Sequence, residues 1–230
     1  MPIRGGHHVR ADRPLTARTI GSVLRLAMVA AVVAAIVTQL ANTVSIGNSV
    51  VNFFSFFTIQ SNIIGAVAVT TAALAGAAAR SSVWLSQFRG AATLYMGITG
   101  MIFSLLLSGT DVQTPIPWVN SVLHYVFPLF IVIDWLVDRS VRPLSFRQGL
   151  IFLVYPVAYG AYSLIRGPIA DWYPYPFLDP RVHGYLYVTV MMIFVAIVGL
   201  ALAWLLCWTS RRDFDRQAVV GVSTDPAARR

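Results

Sequence analysis

His124 is the only histidine inside an apolar stretch of this chain, and Asn120 stands one helical turn before it. Residues four apart share a helix face, so amide and imidazole are presented together. Pro128 follows four residues later and has no N–H, which deprives the His124 carbonyl of its usual helical donor. A second stripe of the same spacing, Thr58 and Asn62, lies in another apolar stretch, with Ser61 on nearly the same face. Imidazole is the side chain best matched to acting as a base at neutral pH. Ionisable groups are costly in hydrocarbon, so an intramembrane histidine marks a functional site; the competing reading is a packing residue satisfied by a serine on another span.

The elements that must position these groups follow from composition. The chain has 230 residues, 57% hydrophobic and 11% charged, with a mean hydropathy of +0.70. Soluble domains carry roughly 25% charged residues, so disorder, a coiled coil and an ordinary water-soluble enzyme are excluded. Six apolar runs reach the ~17 residues needed to cross the hydrocarbon: Leu24 to Val44, Phe53 to Ala78, Ala91 to Ser108, Pro117 to Val137, Gly149 to Ile165, and Tyr185 to Trp208. This predicts an all-α polytopic bundle of six transmembrane helices over residues 19–209, with polar, disordered tails at 1–18 and 210–230. Span two, thinned by Gly65, Ala66, Ala68, Ala72, Ala73, Ala75 and Gly76, belongs in the middle of the bundle, where small residues allow close backbone approach.

Every basic residue is Arg and every acidic one Asp, for a net charge of +8. Arginines are retained on the cytoplasmic side of a membrane. Arg4, Arg10, Arg13, Arg18, Arg25, Arg80, Arg89, Arg139, Arg142, Arg147, Arg211, Arg212, Arg216, Arg229 and Arg230 fall on one side of the six spans, against Arg166 and Arg181 on the other. Both termini are therefore expected inside. A signal peptide in place of span one is the lesser reading, because the leader is long and the apolar run continues past Leu40. Because the arginines alternate with apolar runs, they point to membrane orientation and not to nucleic acid as a partner. Cys207 is the single cysteine, and no His/Cys cluster accompanies it, so neither a metal nor another cofactor is expected.

Polar residues gather in the outer half of the spans: Thr38, Gln39, Asn42 and Thr43; Thr58, Gln60, Ser61 and Asn62; Ser104, Ser108 and Asp111; Asn120, Ser121 and His124. At the inner end, Asp134 and Asp138 are expected to pair with Arg25, Arg139 or Arg142. The loop RGPIADWYPYPFLDPRVHGY between spans five and six is stiff and aromatic, which suits an interfacial belt or a lid over a polar cavity.

Three segments, FFSFFTIQSN around Thr58, LHYVFPLFIVIDW around His124 and WYPYPFLD around Pro174, resemble the family of the androgen-induced protein and the androgen-dependent TFPI-regulating protein, with its bacterial six-span relatives. The likeness extends from about Arg18 to Trp208. It implies a membrane threonine hydrolase that cleaves fatty acid esters of hydroxy fatty acids, with Thr58 as nucleophile and His124 as its base. On that reading Asn62 or Asn120 could donate to the oxyanion, Arg166 or Arg181 could hold a lipid carboxylate, and Asp111 and Asp179 are the outer candidates for a third catalytic member. Membrane lipids and a lipid ester are the implied partners, and a bacterial plasma membrane is the implied location. Two other readings stand beside it: a non-catalytic lipid-binding or scaffold protein that keeps the polar layer for packing, and a small transporter, which the dry inner half disfavours.

Overall fold

A computed structural model of the chain describes residues 15–75, 82–110, 113–138 and 142–223, with side chains from 19 to 211. Asp111 and the topology residues Arg4, Arg10, Arg13, Arg80, Arg139, Arg229 and Arg230 lie outside these ranges, as do the side chains of Arg18, Arg212 and Arg216. All regular structure among the described residues is helical. Six helical segments are long and apolar enough to cross a membrane: Thr19–Ser45, Phe57–Ala75, Val83–Leu107, Pro117–Val137, Phe146–Ala170 and Pro180–Arg211. The chain is thus built as a multi-pass membrane protein.

The first helix, α1 (Leu15–Ser45), crosses the tail boundary expected at 18 and packs on the second span, where the Ser22 hydroxyl donates to the Ala73 carbonyl. The run expected to begin span two at Phe53 is divided. A short helix α2 (Val50–Phe54) ends at Ser55, and α3 (Phe57–Ala75) starts afresh. Next come α4 (Val83–Ile102), which passes into a π-helical turn at Phe103–Leu107, and α5 (Pro117–Ser121), which passes through a second π-helical turn at Val122–Val126 into α6 (Phe127–Val137). The fifth span is α7 (Phe146–Phe152), opened by a Ser145/Gln148 capping box, and α8 (Val154–Ala170). The last, α9 (Pro180–Ser223), has a non-helical Gly184 near its start and runs on past 209, where a disordered tail was expected.

Spans two and three form the centre, with 61% of each buried inside the protein against 11% for span one. Small residues make this possible. A methyl group at Gly65 would meet the Phe127 ring at 2.9 Å, and one at Gly100 would meet Pro128 at 2.9 Å.

At one end of the bundle the charges close on themselves. Arg25 donates to Asp134 at 2.9 Å and to Asp138 at 2.5 Å; Arg89 donates to Asp134 at 3.0 Å and to Asp138 at 2.8 Å. The expected Arg25 pairing is present, and Arg89 supplies the other partner because α4 begins at Val83, eight residues earlier than expected, which places Arg89 within the helix. This quartet is nearly buried and balanced in charge, and it ties spans one, three and four together. Removing one partner of such a group leaves an uncompensated charge. Arg89→Met is predicted to cost about 3 kcal/mol, measured as a lowered thermal unfolding midpoint in detergent, whereas Arg147→Met at the exposed start of α7 should leave the midpoint nearly unchanged.

Candidate functional site

The break between α2 and α3 decides where Thr58 sits. It is the second residue of α3, not more than a turn deep, and the first amides of a helix have no partner within it. Tyrosines supply them. The Tyr159 hydroxyl accepts the Phe57 N–H at 3.1 Å and donates to the Ser55 carbonyl at 2.9 Å. The Tyr175 hydroxyl accepts the Thr58 N–H at 3.2 Å and lies 3.4 Å from the Thr58 hydroxyl. Tyr175 reaches this position because the loop after α8 turns inward at Asp171, the left-handed residue that ends the helix, and then stacks Tyr175 on Phe177 with Phe56 against its edge. Burial pushes the Tyr175 phenol up, so it remains a protonated hydroxyl.

His124 lies at the centre of the second π-helical turn. Its Nδ1 is 3.1 Å from the Asn120 carbonyl. A carbonyl only accepts, so Nδ1 carries the hydrogen and Nε2 of the neutral ring keeps its lone pair. The partner is therefore the residue's own helix and not a serine on another span. Phe103 stacks on the imidazole, with centroids 3.9 Å apart, and fixes the ring plane. Asn62 binds the two stripes together: its amide donates to the Thr58 carbonyl at 2.7 Å and to the Leu123 carbonyl, beside His124, at 3.1 Å.

Thr58 and His124 line one polar pocket, together with Gln39, Thr43, Gln113, Thr114 and Tyr175. The pocket has about 410 Å³ of empty space, its open mouth included. Thr58 and Tyr175 also line a second, larger pocket of about 560 Å³, walled by apolar groups of spans three, five and six that include Ile98, Ile102, Met192 and Val195. Thr58 thus stands on the partition between a polar and an apolar space. Ser61 is fully buried, with its hydroxyl bonded to Thr99 at 2.7 Å and to the Thr58 carbonyl at 3.1 Å.

The remaining predicted residues are held elsewhere. Asn62 has committed both amide hydrogens to main-chain carbonyls, so none is left for an oxyanion. Asn120 acts on the histidine through its main-chain carbonyl. Arg166 donates to Asn52 at 2.6 Å and lies over the Trp172 ring; Arg181 is gripped by Asp179 at 2.7 Å, by Asp171, and by the face of Tyr173. The same Arg181 guanidinium holds the Asp179 carboxyl below the usual range, and Asp179 is not the group that orients His124. The expectation overlooked Tyr175, Tyr159 and the importance of Gln39. Tyr175 was legible only as part of an aromatic loop.

Compared with family models, curated proteins and solved structures, the chain matches none.

Tyr175→Phe would leave the Thr58 amide buried without an acceptor. It is predicted to cost about 1–3 kcal/mol and to speed hydrogen exchange at the Thr58 amide, readable by mass spectrometry.

Proposed function

We propose that this protein is an integral membrane hydrolase of lipid esters, with Thr58 as nucleophile and His124 as general base. One observation carries the reading: Thr58 and a histidine whose Nε2 keeps its lone pair line the same polar pocket, and Thr58 also lines the apolar one. The resemblance of the three motifs to membrane threonine hydrolases supports the same pair. A threonine hydroxyl needs a base to become an effective nucleophile, and a β-branched side chain has few rotamers, which limits wandering of the attacking oxygen. Ser61, locked in its bond with Thr99, is the weaker candidate.

On this reading, the ester acyl chain lies in the apolar pocket with its carbonyl at the partition. His124 Nε2 takes the Thr58 proton as the oxygen attacks, and the proton then passes to the departing alkoxide. The Tyr175 hydroxyl, next to the attacking oxygen, is the neighbouring donor for the tetrahedral oxyanion. Water releases the acyl group from Thr58 with His124 again as base. The arginine distribution supports both termini inside and this pocket toward the outer leaflet.

A fluorophosphonate probe is predicted to label the purified protein, and labelling should be lost in Thr58→Ala and His124→Ala while persisting in Ser61→Ala. Labelling that survives both of the first two substitutions would remove the basis for the assignment. For the orientation, in a Cys207→Ser background an impermeant thiol reagent added to intact cells should modify Asp171→Cys, which lies in the exposed outer loop, and spare Val83→Cys.

A further inference from the structure

One wall of the polar pocket has no part in attack by Thr58. Gln39, on α1 and 3% exposed, borders the pocket together with Thr43, one turn further on. Its Nε2 donates to the Gln113 main-chain carbonyl at 2.6 Å. That contact fixes which way the amide points, because the reverse orientation would set two oxygens against each other. Gln113 holds its carbonyl in this position from a left-handed backbone, φ 57°, which is unfavourable for a residue with a side chain. The Gln39 Oε1 is buried and has no hydrogen-bond partner among the described residues.

Two residues with an open acceptor therefore line one pocket: Gln39 through Oε1 and His124 through Nε2. Neither can satisfy the other; the Thr43 hydroxyl beside them donates to the Gln39 main-chain carbonyl at 2.9 Å, and the side chains of Phe53, Phe56, Ile59 and Leu123 in the same lining have no donor. A small molecule with two O–H donors satisfies both. The pocket has room for a water molecule between these groups. The apolar pocket shares Thr58 with this one but not Gln39 or His124, so an acyl chain there leaves this space open to a nucleophile.

We propose that Gln39 is a positioning residue that holds the hydrolytic water against His124 for release of the acyl group from Thr58. This rests on the nucleophile and base assignment above. The water donates one hydrogen to Gln39 Oε1 and the other to His124 Nε2. His124 removes that second proton as the water oxygen bonds to the acyl carbon; the bond from that carbon to the Thr58 oxygen then breaks, and the proton returns from His124 to the Thr58 oxygen. The product is a free carboxylic acid, and no other reactant is needed.

The test uses purified protein in lipid nanodiscs with p-nitrophenyl octanoate as substrate, following nitrophenolate release and, after an acid quench, the fraction of Thr58 carrying octanoate by mass spectrometry. In Gln39→Met, turnover should fall ~10²-fold while the octanoyl-Thr58 fraction rises above wild type. A fall in turnover with no rise in that fraction, or unchanged turnover, overturns the role of Gln39 alone. Absence of octanoyl-Thr58 from both proteins, with hydrolysis still proceeding, overturns the underlying assignment as well. A measurement on the wild type needs no variant to fold: methanol should intercept the acyl group to give methyl octanoate, and 1-propanol should do so at least about tenfold less well, because the pocket admits a water-sized nucleophile. Equal interception by the two alcohols would show that the nucleophile arrives by another route.

Discussion

Hydrocarbon offers no hydrogen bonds, so every main-chain amide or carbonyl released inside a membrane bundle has to be matched by another part of the protein. That constraint acts most strongly where α2 gives way to α3. The interruption at Ser55 and Phe56 frees the first amides of α3, and hydroxyls of Tyr159 and Tyr175 take them up. The helix can therefore begin inside the bundle, and its second residue, Thr58, stands at a fixed helix end and lines two pockets. The same requirement explains Asn62, whose amide supports carbonyls of both α3 and the π-helical turn around His124. Irregular backbone here is matched by side chains from other spans and from the loop after α8.

Charge is distributed by a related logic. Two arginines and two aspartates from spans one, three and four neutralise each other at one end of the bundle. At the other end, Arg166 and Arg181 brace the aromatic loop through Asn52, Asp171, Asp179 and the rings of Trp172 and Tyr173. Among the described residues these cations are engaged within the protein, which leaves the pocket itself lined by neutral polar groups. A neutral pocket suits proton transfer through a neutral imidazole and an uncharged ester more than it suits ion passage.

Much of the frame was legible in the residues. Six spans, the central place of the small-residue helix and the pairing of Arg25 with the two aspartates all follow from hydrophobicity, side-chain size and the cost of unpaired charge, and those forces act on one residue type at a time. Span limits were less legible. Arg89 reads as an inner-loop cation until its partners on α6 are known, since an ion pair lets an arginine enter a helix that its hydropathy would exclude. Phe53 to Ala78 reads as one helix, because nothing apolar or polar in FFSFF announces that tyrosines far along the chain will satisfy a break there.

The site divides in the same way. The sequence by itself determined that His124 is the one histidine inside the six apolar runs, that Asn120 shares its face, and that Pro128 disturbs the helix after it; these are local relations of spacing and chemistry. The tertiary structure alone decided that Thr58 and not Ser61 borders the pocket, that Asn62 and the two outer arginines are bound internally, and that Tyr175 and Gln39 stand beside the candidate pair. The physical reason is that a hydrogen-bonding group's availability depends on what it already binds. Thr99 for Ser61, Leu123 for Asn62, Gln113 for Gln39, Thr58 for Tyr175 and Asn52 for Arg166 lie between 38 and 117 residues away in the chain, beyond the reach of any local pattern.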